Sequence, residues 1–199
     1  MRKLVYYVGV TLDGRIAGPG GEFDFFPTGD EKQDAAYTAW MFAQYPDVVP
    51  AHLRAPAGLT DTPNRHFDTV VMGLGTYRPA LDEGITSPYA HLRQYVVSST
   101  LGPAPDPAVT VVPDDPLGLV QRLKREEQGE GSLGIWLCGG GRLAGALLPE
   151  IDELVFKSYP VVAGAGIPAF DGGFDPTAFD VAQRTTFDNG VCVTRFVRR

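Results

Sequence analysis

The chain has 199 residues, with 17 Lys+Arg against 24 Asp+Glu, for a net charge of −7. That length and the 44% hydrophobic content fit one globular domain, and the acidic balance excludes a broad nucleic-acid surface, which needs clustered Lys and Arg. Two cysteines and three scattered histidines offer no metal-ligand spacing, and no apolar run of about 18 residues spans a membrane, so a cytoplasmic protein without metal is expected.

Leu4 to Val10, rich in Val and Tyr, is the first strand, broken by Thr11-Leu12-Asp13-Gly14. Ile16 to Gly21 is a loop of little bulk. A helix is predicted from about Asp30 to Tyr45, capped by Thr28 or Asp30, with Tyr37, Trp40, Met41 and Tyr45 on one face and Pro46 ending it. Residues 46–67 hold four prolines and no clean period, which predicts an irregular surface excursion. Phe67 to Met72 is the second strand, followed by a short helix from Thr76 to Leu81. Gln94 to Ser98 and Ala108 to Val112 are the next strands. Pro116 to Gln128 is a charged helix burying Leu117, Val120 and Leu123, and a turn spans Gly129 to Gly134. Leu133 to Cys138 is a strand running into three glycines, and Arg142 to Leu148 is helical. Glu153 to Tyr159 is a strand and 160–170 a Gly/Pro loop. Phe179 to Thr186 and Val191 to Val197 flank Asp188-Asn189-Gly190, a hairpin signal.

Strands alternate with helices and then dominate. The fold class is therefore α/β: a mostly parallel central sheet flanked by helices, closed by a C-terminal antiparallel hairpin. No linker divides residues 1–199, so one domain is expected. Cys138 and Cys192 lie in apolar sequence and read as buried free thiols, with one disulfide left open.

Four segments at strand ends can carry chemistry, as ligands gather there in open α/β sheets. Cys138-Gly139-Gly140-Gly141-Arg142-Leu143 joins a strand to a helix through glycines. The backbone can approach a phosphate closely there, or the segment is a tight turn alone. Val71-Met72-Gly73-Leu74-Gly75-Thr76-Tyr77 repeats the pattern, with Thr76 as a cap or a phosphate donor. Leu12-Asp13-Gly14-Arg15-Ile16-Ala17 leaves the first strand as a lid or a plain turn, and Val97-Ser98-Ser99 ends a strand in hydroxyls.

In this order and spacing the segments resemble the dihydrofolate reductase superfamily. The likeness is to the branch related to the C-terminal reductase domain of the bifunctional riboflavin-biosynthesis deaminase–reductase. Ile151-Asp152-Glu153-Leu154 and Pro160 to Phe170 resemble the same branch. The resemblance implies a dihydrofolate-reductase-like fold, a homodimer, a small-molecule substrate and an NADPH-dependent oxidoreductase, with NADH possible as cofactor. It places Gly139, Gly140 and Gly141, flanked by Cys138, Arg142 and Leu143, at the pyrophosphate. Gly73, Leu74, Gly75 and Thr76 would line the adenosine-side phosphates, Ser98 and Ser99 the adenosine, and Ile16 and Ala17 the nicotinamide carboxamide.

Two departures stand out. Leu74 replaces the family's usual Arg, the partner of the 2′-phosphate, so that either Arg78 or Arg93 compensates, or selectivity for NADPH is weak, or dinucleotide binding is lost. The deaminase zinc signature, H-x-E with P-C-x-x-C, is absent, so one chain is not expected to perform both riboflavin steps. For the proton donor the candidates are Asp13, Asp30, Asp34 and Glu153, with Glu31 beside them. Phe23, Phe25, Phe26, Tyr37 and Trp40 wall a flat substrate or fill the core. The expected function is reduction of a small heterocyclic or carbonyl compound. The alternatives are 5-amino-6-(5-phosphoribosylamino)uracil reductase proper, for whose phosphate only Arg15, Arg54 and Arg65 stand out, and a non-enzymatic nucleotide-binding or regulatory protein.

Overall fold

The computed structural model describes residues 1–126 and 132–199. The helix end expected at Gln128 and the first half of the turn expected at 129–134 lie outside them.

The apolar runs become strands β1 (Leu4–Val10), β3 (Phe67–Gly73), β4 (Arg93–Val97), β5 (Val109–Val112), β6 (Gly134–Gly139) and β7 (Ile151–Ser158). With β9 (Phe179–Thr186) and β10 (Cys192–Arg198) they form an eight-stranded sheet ordered β5-β4-β3-β6-β1-β7-β10-β9. All pairs from β5 to β7 are parallel, and β10 runs antiparallel to both β7 and β9. A short β2 (Arg15–Ala17) pairs with β8 (Ile167–Pro168) outside this sheet.

Side chains alternate across the sheet, so each central strand feeds two cores. Val5, Tyr7, Val70, Met72 and Trp136 face α1 (Glu31–Gln44) and α3 (Leu74–Asp82). Leu4, Tyr6, Val71, Ile135 and Leu137 face α4 (Pro116–Arg125) and α5 (Gly141–Leu147). The expected aromatic face of α1 is confirmed: Tyr37 is buried, and Trp40, Met41 and Tyr45 pack on the first core. Asp30 is its cap, accepting from the Gln33 amide at 2.9 Å in a reciprocal capping box.

Four expectations are corrected. Helix α3 starts at Leu74, with Gly73 as N-cap, so Thr76 lies inside the first turn and caps nothing. The loop expected from Ile16 begins instead inside β2, and the Gly/Pro loop holds its partner β8. The 46–67 excursion is built around buried charge: it contains a 3-10 turn and α2 (Ala51–Arg54), and Asp47 is fully buried. The Asp47 carboxylate accepts from the amides of Arg65, His66 and Phe67 at 2.7–3.1 Å, and buried Arg54 donates to the carbonyls of Pro46, Leu59 and Thr62. These bonds replace the periodic pattern that the sequence lacks. Cys138 and Cys192 are free thiols, each half-buried.

Removing the Asp47 carboxylate strands three backbone donors. Asp47→Ala is therefore expected to cost about 2–4 kcal/mol, read as a lower urea midpoint at unchanged m-value.

Candidate active site

The C-terminal ends of β3, β4 and β6 open on a cleft of about 850 Å³, a volume that holds a cofactor-sized ligand. Gly73, Leu74 and Gly75 enter it from the start of α3, and Ser98, Ser99 and Thr100 from the end of β4. Gly140, Gly141, Arg142 and Leu143 form the β6–α5 turn, and Ala165 to Pro168 close the far side. Nine of the sequence-predicted cofactor residues thus converge on one cleft although they come from three distant segments.

The walls are backbone, hydroxyl and aliphatic. Gly73 caps α3 without any side-chain hydrogen bond, leaving its first-turn amides free for an anion. A Cβ at Gly141 would overlap the Pro168 carbonyl oxygen, so only glycine lets the β6–α5 turn pass this closely under β8. Among the described residues the charged members of the walls are Arg142 and Asp171, 3.5 Å apart. The Arg142 side chain is 93% exposed, so this pair is weak and the guanidinium is free to turn to a phosphate.

The remaining predicted residues lie elsewhere. Ile16 and Ala17 sit in β2, behind the cleft, with Ala17 paired to Ile167. Thr76 and Gly139 back the turn, where a Cβ on Gly139 would stand 3.2 Å from Thr76 Oγ1. Cys138 faces the opposite side of the sheet, toward Tyr89 at 3.9 Å. Burial pushes its thiol up to about 12, against smaller opposing effects of Tyr89 and Lys157. Arg93 cannot compensate for Leu74: it opens β4 at the other end of the strand and pairs with Glu126 at 2.6 Å. Arg78 is exposed, one turn beyond Leu74 and outside the walls.

The four proposed acids are not gathered either. Asp13 accepts from Thr11 Oγ1 and from the amides of Ala163 and Gly164 at 2.6–3.0 Å. The Thr11 hydroxyl is the largest influence holding its carboxyl down to about 2. It is an ionised latch between two loops rather than an acid. Asp30 is committed to its cap. Asp34 is half-buried in the first turn of α1, near the Tyr37–Tyr159 hydroxyl pair, 3.0 Å apart. Glu153 opens β7 at the far end of the sheet, bound to Arg195 at 2.7 Å and Lys3 at 2.5 Å. Burial alone would raise its carboxyl, but those two cations outweigh burial and lower it.

Four of the five predicted aromatic residues join one cluster: Phe25 stacks on Phe26, Phe26 packs at a tilt on Tyr159, Tyr37 meets Tyr159 edge-on, and Tyr37 and Trp40 meet Phe187 edge-on, while Phe23 is exposed outside it. Beside it is a residue the sequence reading missed. Lys157, in the otherwise apolar run Leu154-Val155-Phe156, lies with its Nζ 4.6 Å from the centroid of the Tyr7 ring. A lone cation inside a strand was the available signal. The wall segment 165–168 was also missed as lining, although Gly166 was visible.

Residues 2–193 match the RibD C-terminal domain family, and the chain belongs to that family. It is 30% identical over 171 residues to the uncharacterized protein YwjB of Bacillus subtilis, covering 85% of this chain and 83% of the relative. It is 28% identical over 203 residues to the uncharacterized protein YyaP of the same organism, at 96% and 92% coverage. Among solved structures, a Shewanella sp. PV-4 protein named for riboflavin biosynthesis superposes with a TM-score of 0.69 at 21% identity, over 100% of this chain and 99% of the other. A Thermotoga maritima diaminohydroxyphosphoribosylaminopyrimidine deaminase/5-amino-6-(5-phosphoribosylamino)uracil reductase gives 0.61 at 15% identity, and this chain spans 57% of its length. Both share the fold, as expected for the dihydrofolate-reductase-like sheet.

Gly141→Ala tests the turn. Displacement of β8 is expected to lower the melting temperature by several degrees, read by thermal denaturation.

Proposed function

We propose that this protein is an NAD(P)H-dependent reductase that transfers hydride to a small heterocyclic or carbonyl substrate. The supporting observation is the convergence of Gly73–Gly75, Ser98–Thr100 and Gly140–Leu143 on one cleft at the C-terminal strand ends. The residues fit a dinucleotide. Free amides at the start of α3 and the close-passing backbone of Gly140 and Gly141 suit phosphates, Leu74, Val97, Leu143 and Ile167 suit flat rings, and the hydroxyls of Ser98 and Ser99 suit a ribose. When bound, the nicotinamide supplies the hydride. The chain's own part is to hold the dinucleotide extended, exclude water, and present the acceptor on the aromatic α1 side of the sheet.

Membership of the RibD C-terminal domain family supports a reductase-type role over a purely regulatory one. Within it, the generic reductase is favoured over the aminouracil phosphate reductase. A ribityl phosphate needs converging cations, yet Arg54 is buried on carbonyls, Arg65 donates to Ala43 O beyond the other end of the sheet, and Arg15 lies against Asp13 and Gly166.

Fluorescence titration with NADPH and NADH tests the reading, and no binding of either at millimolar concentration overturns it. Leu74→Arg is expected to tighten NADPH by about tenfold, one charge-assisted contact, while NADH changes little. Equal changes for both would remove Leu74 from the 2′ position.

A further inference from the structure

The chain has four lysines. Lys3 pairs with Glu153, Lys124 pairs with Glu150 and Asp152, and Lys32 is exposed on α1. Lys157 differs from all three. It is half-buried, and among the described residues neither a carboxylate nor a carbonyl meets its Nζ. A half-buried ammonium with no counter-ion is disfavoured in its charged form, and that singles the position out as a candidate for function. Its surroundings are specific. Gly9 is its register partner on β1, and the missing Cβ there leaves room for Tyr159 and for the Lys157 stem. Tyr7 lies under the ammonium, and Cys138, one residue before Gly139 on β6, is near enough to act on its charge. Tyr37, with Asp34 a turn before it, closes the α1 side through its hydroxyl bond to Tyr159. From β10 the facing residue is Val193, which is uncharged. Lys157 stands outside the cleft wall itself; Leu74, which lines the cleft, also packs on the core cluster that contains Tyr7, so the two regions share that cluster.

Resting on the reductase reading, we infer that Lys157 stands at the nicotinamide end of the cleft and supplies the proton that accompanies hydride transfer. The electrophilic carbon of a carbonyl or imine accepts hydride from the reduced nicotinamide and forms a C–H bond. The π pair moves to the oxygen or nitrogen, and that atom takes a proton from the Lys157 ammonium. The products are an alcohol or amine, the oxidised nicotinamide and a neutral amine on Lys157, which regains its proton from water. The role needs an acid that gives up its proton near neutral pH. Burial brings Lys157 down to about 8, partly opposed by Cys138. Asp13 is already ionised, Asp30 is capping, and Glu153 is remote.

The test uses the intact chain and its Lys157→Met and Lys157→Arg variants. A cation at the nicotinamide end repels the positively charged oxidised ring and not the reduced one. At pH 7, Lys157→Met is expected to bind NADP⁺ about fivefold more tightly, with NADPH affinity unchanged. Wild-type NADP⁺ binding should tighten as pH rises through about 8, where Lys157 loses its charge. It should be flat in Lys157→Met, and flat and weak in Lys157→Arg, which stays charged. With 9,10-phenanthrenequinone as the carbonyl probe, wild-type turnover should fall as pH rises through the same range, and Lys157→Met should lose about tenfold or more. A folded-state base with a depressed pKa is destabilising while protonated, so Lys157→Met should also resist urea better than wild type at pH 7. NADP⁺ titrations that superimpose for wild type and both variants overturn the inference, as does quinone turnover no greater in wild type than in Lys157→Met. If wild type binds neither nucleotide, the reductase reading falls and this inference with it.

Discussion

Backbone passing against backbone at Gly141 and Gly166 is the contact on which the cleft depends. A methyl on either glycine would overlap a carbonyl oxygen, that of Pro168 in one case and of Ala17 in the other. The 160–171 segment is therefore pinned between the β6–α5 turn and β2. Pinning allows β2 and β8 to pair, brings Ala163 and Gly164 to the Asp13 carboxylate, and sets the Ala169 carbonyl on the Tyr6 hydroxyl at 2.9 Å. Without that segment the cleft would be a shelf open on one side. The same geometry solves an electrostatic problem. A chain of net charge −7 that took a polyanion would do so without a broad basic surface. It presents peptide dipoles at close range instead, and it keeps side-chain charge in the walls to Arg142 and Asp171.

Charge is sorted along the strands. At their N-terminal ends the cations are neutralised: Arg2 meets Asp68 and Glu126, Lys3 and Arg195 share Glu153, and Lys124 meets Glu150 and Asp152. These pairs fasten the chain start to α4, β7 and β10. The C-terminal ends carry glycines, hydroxyls and aromatic rings. One end of the sheet thus carries polar fastening and the other the recognition surface, as in open α/β sheets generally.

The fold was legible because the central strands are apolar on both faces and each ends in a glycine or hydroxyl cluster. The 46–67 segment was not, since its order comes from two buried ions whose partners are backbone atoms up to twenty residues away. Local pattern carries no trace of such bonds. The cleft residues were readable because the glycines at 73–75 and 139–141 announce close backbone approach wherever they are placed. The acids were harder to read for the opposite reason. A carboxylate in a loop or helix start has the same letter whether it latches a turn, caps a helix or faces a ligand. Asp13 and Asp30 are consumed by amides that only the folded chain delivers.

Glu153 and Lys157 make the point within a single strand. They are four residues apart on β7 and project from the same face, since side chains alternate with period two. At about 3.3 Å per residue they stand roughly 13 Å apart, at opposite ends of the sheet. Glu153 meets Lys3 from the chain start and Arg195 from β10. Lys157 lies opposite Gly9 and Val193, neither of which offers a charge. Both are charged residues interrupting an apolar run, and local sequence gives no reason to treat them differently. Neighbouring strands decide the difference. At one end they complete the charge and make a fastening. At the other they withhold the partner, and the ammonium lies over the Tyr7 ring without a counter-ion among the described residues.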